Sequence, residues 1–220
     1  MSINEILSFL AQNEDFKNLT SYDEFDSDSF QDLFGLVDED SCYIYDNLKY
    51  AYGMTKCVFI PKNENFVIKI PFTGEIDENG FFCFFQGAGD YEWNYCEQEL
   101  EMYKLAKEHK VEKAFAKISY IYNLEFGLPI YKQEKATFKT CNSPLSDEEL
   151  DTVTKSCFES GCKIFNTNWL KDAYNYYSKD FYYSLIDFLA TYEIDQDLHC
   201  DNLGYIGDRP VIIDYSGYYH

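Results

Sequence analysis

Asp197-Leu198-His199-Cys200-Asp201-Asn202, followed one short β pattern later by Asp214-Tyr215-Ser216-Gly217, is the stretch of this 220-residue chain on which the fold turns. Between the two acidic turns the residues alternate as a hairpin. Leu203-Gly204-Tyr205-Ile206 forms one arm, Gly207-Asp208-Arg209-Pro210 the turn, and Val211-Ile212-Ile213 the other arm. Taken alone, an Asp with an Asn five residues on is common and describes only an acidic turn before a hairpin. Coupled to a second Asp at this distance, it is much rarer.

Working outward, the chain before this stretch reads as helical. A long amphipathic helix is expected from about Asn168 to Tyr192, rich in Tyr and Phe. Ser146-Asp147-Glu148-Glu149 is a capping box that opens another helix towards Ser160. Earlier still, Ala116 to Tyr122 and Leu128 to Glu134 read as strands. They follow a helix from Tyr95 to about Lys110 whose apolar stripe holds Leu100, Tyr103, Leu105 and Ala106. Cys57-Val58-Phe59-Ile60 and Phe66-Val67-Ile68-Lys69-Ile70 make a hairpin about the turn Pro61 to Asn65. Residues 73–90 form a Gly- and Phe-containing insertion with no assigned element. Residues 1–46 read as an acidic helical extension, with one helix from Ser2 to about Gln12. A second helix, capped by Asp28 or Ser29, carries Phe30, Leu33, Phe34 and Val37 on one face. That extension is expected to be a packing element or a partner-binding arm. No internal repeat or low-complexity linker interrupts the chain.

Composition narrows the class. At 46% hydrophobic residues the chain can bury a sizeable core. The 21 Tyr and 19 Phe read as core payload before any binding platform. With 39 acidic against 18 basic residues the net charge is −21. Such a surface repels nucleic acid and anionic membrane, because both are bound through Lys and Arg. It suits a basic protein partner or a cationic small molecule, and it favours a cation at any nucleotide site. The eight cysteines include no C-x-x-C pair and are joined by three His, which argues against a zinc site. Free thiols fit a reducing cytoplasm. No signal-peptide pattern follows Met1, and no run approaches the roughly 18 apolar residues that a membrane span needs.

The 197–217 stretch resembles the catalytic loop and metal-binding motif of the protein-kinase and aminoglycoside-kinase superfamily, in which D-x-x-x-x-N is followed by a hairpin and D-F-G. Asp197 and Asn202 keep the spacing, and Asp214 with Gly217 echoes D-F-G with one residue inserted. Asp195-Gln196 replace the His-Arg of the family and Tyr215 replaces its Phe, which argues against control through a phosphorylated activation loop. The resemblance covers about residues 48–217. It implies an α+β, protein-kinase-like bilobal fold: an N-lobe of small antiparallel sheet and one helix over residues 47–135, and a mostly helical, truncated C-lobe over 136–220. The family normally continues into further substrate-binding helices. The chain is therefore expected to be a minimal kinase core, or to draw those functions from a partner or from the N-terminal extension.

The resemblance also implies roles. ATP with Mg²⁺ is the expected cofactor pair. Asp197 would orient or deprotonate the acceptor hydroxyl, and Asn202 with Asp214 would hold the metal. Val67-Ile68-Lys69 matches the family's V-A-I-K, so Lys69 would reach the phosphates, paired to Glu99, or failing that Glu97, on the helix from Tyr95. Read by itself, Lys69 between Ile68 and Ile70 could equally be an edge-strand lysine facing solvent. In the glycine-rich loop only Gly53 and Val58 match, and Lys56 stands in the third glycine's place, where it could touch a phosphate. Tyr131 to Glu134 falls at the adenine-binding hinge. Two other readings stand beside the enzyme: a pseudokinase that acts by binding a partner, and an acidic, phage-encoded decoy that mimics nucleic acid.

Overall fold

The computed structural model describes residues 4–5, 7–8, 43–45, 48–52, 55–71, 73–86, 92–139 and 144–216. Among these the chain is α+β, with one six-stranded antiparallel sheet, two two-stranded ribbons and four α-helices. Asn4, Glu5, Leu7 and Ser8 are helical; the rest of the expected N-terminal helices, Gly53 and Gly217 lie outside the described residues. Two compact units divide the chain: Met1–Glu97 with Ile118–Lys135, and Gln98–Lys117 with Ala136–His220.

The first unit contains β1 (Tyr43–Tyr45), β2 (Leu48–Tyr52), β3 (Lys56–Pro61), β4 (Phe66–Pro71), β5 (Gly74–Ile76), β6 (Phe82–Phe84), β7 (Ile118–Asn123) and β8 (Pro129–Glu134). The large sheet runs β1-β2-β3-β4-β8-β7. β4 is therefore interior, with Lys69 opposite Val58 on one side and Tyr131 on the other. All six of its residues are buried, Lys69 at 4% exposure. Lys69 is thus not a solvent-facing edge lysine: its side chain is buried on a strand paired along both edges.

β5 and β6 occupy the insertion left unassigned from sequence. Their turn is set by Asp77, whose Oδ1 accepts the N–H groups of Asn79 and Phe81, each at 2.9 Å. Gly74 permits the close pairing, since a Cβ there would collide with the Cys83 carbonyl and the Phe82 ring.

α1 (Tyr95–Glu108) begins in the first unit and passes into the second at Gln98. The second unit continues with α2 (Asp147–Ser160), α3 (Thr167–Tyr176) and α4 (Lys179–Thr191), then β9 (Leu203–Ile206) and β10 (Arg209–Ile212). α2 opens on the expected capping box. Ser146 Oγ accepts the Glu149 N–H at 3.3 Å, and Glu149 Oε2 accepts the Ser146 N–H at 2.9 Å. Ser146→Ala should cost about 1 kcal/mol in urea unfolding, with an unchanged m-value.

The single helix expected over 168–192 is two helices. Tyr177 leaves helical geometry at φ −86°, ψ 162°, and Ser178 restarts the helix by accepting the Phe181 N–H on its hydroxyl at 3.3 Å. Tyr177 turns its side chain to the hairpin, where its hydroxyl donates to the Pro210 carbonyl at 2.6 Å, with the Lys113 carbonyl 2.9 Å away. Aromatic periodicity runs through this junction without Gly or Pro, which is why it reads as continuous in the sequence.

The helices of the second unit bury Val153 and Cys157 of α2, Trp169 and Leu170 of α3, and Leu185 and Leu189 of α4. The buried Tyr182 hydroxyl is satisfied by Ser156 Oγ at 3.1 Å, and burial pushes that phenol well above its ordinary pKa. The β9–β10 hairpin turns on Gly207 at φ 63° and is bordered on both sides. Beyond β10, Phe115 forms a parallel bridge to Ile212, with the Ala116 N–H donating to the Ile212 carbonyl at 2.9 Å. Beyond β9, Thr137 and Tyr205 exchange two backbone hydrogen bonds of 2.8 Å. No helix among the described residues is long and apolar enough to cross a membrane.

Candidate functional site

The end of α4 delivers the chain into the 197–202 loop. Glu193 takes a left-handed φ of 54°, which turns the backbone sharply into a 3₁₀ turn, Ile194–Asp197. Ile194 and Asp195 are buried, and the Asp195 carboxylate accepts the Lys163 N–H. The loop is thereby rooted on the segment after α2 before it reaches its polar residues. Leu198 is buried beneath it, and a second 3₁₀ turn, Cys200–Asn202, leads into β9.

Within the loop one carbonyl organises the geometry. Asp197 O accepts the Asn202 side-chain Nδ2–H at 2.8 Å and the His199 N–H at 3.1 Å. Asn202 is buried, so its amide is held rather than solvated. The Asn202 carbonyl in turn accepts the Ile213 N–H at 2.8 Å, joining the loop to the residue before Asp214. Asp214 Oδ1 accepts from Ser216 Oγ at 3.4 Å. Tyr215, fully buried, donates its hydroxyl to the Ala116 carbonyl at 2.6 Å and packs edge-on to Phe115 at a centroid distance of 5.0 Å. Asp214 thus lies between a backbone bond at Ile213 and a side-chain bond at Tyr215.

The chemistry available follows from this arrangement. Asn202 uses its side-chain NH₂ on Asp197 O, and its Oδ1 remains an oxygen acceptor. Asn202 and Asp214 both offer oxygen, the ligand type that Mg²⁺ prefers. Asp197 and Asp214 are both partly exposed, so both carboxylates can be reached by a solute.

Asp197 and Asn202 are therefore joined directly in the second unit, and Asn202 is joined to the residue before Asp214. Glu99, also in the second unit, is fully buried. Lys69 and Lys56 are buried in the first unit, Lys56 at the start of β3 opposite Pro71. Glu97, the alternative acid, accepts the Tyr131 hydroxyl at 2.8 Å, while Asn94 donates to that hydroxyl at 2.9 Å. Burial, then the neighbouring Glu97, pushes the Tyr131 phenol far above its ordinary pKa. Tyr131 thus serves α1 from inside β8.

Asp195, Tyr177 and the Phe115–Ala116 segment support the loop without any signal in sequence spacing. Trp169 does so too, donating its indole N–H to the Gly204 carbonyl at 3.4 Å. Beside the loop lies a cavity of about 290 Å³ whose lining includes Lys139, Asn166, Asn168, Trp169, Cys200 and Asp201. No family model matches the chain, and no curated protein matches it.

Proposed function

We propose that this chain is a kinase-like, Mg·ATP-dependent phosphotransferase with its chemical centre on the 197–216 loop and hairpin. The observation that carries the reading is the Asn202 side chain bonded to the Asp197 carbonyl at 2.8 Å, with its own carbonyl tied to Ile213. An amide whose NH₂ is held that way keeps its oxygen as an acceptor for a metal, and the bond to Ile213 ties it to the residue before Asp214. Asp197 orients or deprotonates the acceptor hydroxyl; Asn202 and Asp214 are the residues that hold Mg²⁺, which when bound neutralises charge on the phosphates. Transfer then depends on positioning more than on covalent chemistry by the protein.

A bilobal kinase-like fold is part of the same proposal. It is supported by an interior Lys69 strand in an antiparallel sheet and by the helix that follows it in the chain. The phosphate-holding role of Lys69 belongs to it as well. The acceptor class follows from charge: a net −21 favours a basic protein or a cationic small molecule.

Mg·ATP should stabilise the protein by about 2.7 kcal/mol at a hundredfold excess over Kd, and ATP without magnesium should stabilise it less. Chemical denaturation with ATP, Mg²⁺ and both together measures this. No shift at millimolar Mg·ATP overturns the nucleotide reading and favours a decoy that works through its charge.

A further inference from the structure

We infer that His199, Cys200 and Asp201 form a binding site for a divalent transition-metal ion of the zinc class. The donor atoms of these three residues lie within 4.8 Å of one another. His199 Nδ1 stands 3.6 Å from Asp201 Oδ2, and Cys200 Sγ stands 3.5 Å from Asp201 Oδ1. A tetrahedral centre with bonds of about 2.0–2.3 Å separates its ligand atoms by roughly 3.3–3.7 Å, and each spacing falls in that range, although the two end on different oxygens of Asp201.

His199 Nδ1 accepts the Asp201 N–H at 3.3 Å. A bond of that length is weak and easily exchanged for a metal. All three side chains are exposed, so a hydrated ion reaches them directly. The backbone beneath is held at both ends, by His199 N–H on the Asp197 carbonyl and Asn202 N–H on the His199 carbonyl, each at 3.1 Å. Little ordering therefore remains to be done when the ion binds.

Imidazole, thiol and carboxylate together select a borderline ion over magnesium, which prefers oxygen alone. Three protein donors leave one tetrahedral position open, as in sites that keep an exchangeable ligand. Cys200 and Asp201 also line the 290 Å³ cavity with Asn166 and Asn168, which gives that ligand polar surroundings. Paired-cysteine spacing, on which a zinc expectation normally rests, has no way of registering three unlike donors in a row. The site does not depend on the nucleotide reading, since it shares no ligand with Asn202 and Asp214.

Cobalt(II) titration of the full-length protein tests it. One equivalent should produce thiolate-to-cobalt absorption in the near ultraviolet with the intense visible bands of a tetrahedral ion. Zn²⁺ should abolish this signal, and excess Mg²⁺ should leave it in place. Cys200→Ser should lose the thiolate band, His199→Ala should lose the tetrahedral bands, and Cys83→Ser, which alters another exposed cysteine, should retain both. As a second readout on the unsubstituted protein, Zn²⁺ should block alkylation of Cys200 while leaving Cys83 reactive. Absence of thiolate–cobalt absorption, its persistence in Cys200→Ser, or equal alkylation of Cys200 with and without Zn²⁺ overturns the inference.

Discussion

Asp197→Asn should lower phosphoryl transfer by about 10²- to 10⁴-fold, the usual contribution of a positioned acid–base group, while Mg·ATP stabilisation stays near its original value. The reason is structural. The bonds that shape the loop, from Asn202 Nδ2 and His199 N–H, end on the backbone carbonyl of residue 197, which the substitution keeps. Only the carboxylate is exchanged for an amide of the same shape. Asp214→Asn should behave oppositely, weakening Mg·ATP binding itself, because it removes charge from the metal pair. Both are read by following loss of the γ-phosphate from ATP, with denaturant midpoints measured with and without Mg·ATP. Undiminished transfer in Asp197→Asn would show that the acceptor is activated elsewhere.

Trp169→Ala is expected to destabilise the chain by about 3–5 kcal/mol, the range for emptying a buried aromatic site. Trp169 is one of the largest fully buried side chains, and its indole N–H would leave the Gly204 carbonyl of β9 without that donor. Phe158→Ala, on the same unit but 85% exposed, should change stability by less than about 0.5 kcal/mol. Urea unfolding of the two variants gives the comparison. A Trp169 cost no larger than that of Phe158 would mean that the core beneath the hairpin is not packed as described.

What the sequence discloses and what it hides follow from range. The hairpin at 57–70, the capping box at Ser146 and the 203–213 hairpin depend on neighbours a few residues apart, so alternation and cap chemistry mark them. The break at Tyr177 was hidden because its cause is a partner at Pro210, far along the chain, and no breaker residue stands in the helix. The interior position of Lys69 was equally hidden, since β8, which covers its second edge, lies beyond α1. At the candidate site Asp197, Asn202 and Asp214 were singled out by the resemblance of their stretch to a known motif. Their support by Asp195, Phe115 and Trp169 arises only when distant segments fold against one another. The His199–Asp201 cluster was in plain view but fits no spacing rule.

The bordered hairpin has a consequence for self-association. A two-stranded ribbon ordinarily presents two rows of unpaired amides and carbonyls on which another chain can grow as a further strand. Here Phe115–Ala116 closes one row at Ile212 and Thr137 closes the other at Tyr205. A chain with 21 Tyr and 19 Phe has ample material for cross-β stacking once such a template is open. Capping both rows lets β9 and β10 hold polar loops at each end without also nucleating fibrils there. Losing either bridge would reopen that row, beside the candidate centre, to strand exchange between copies.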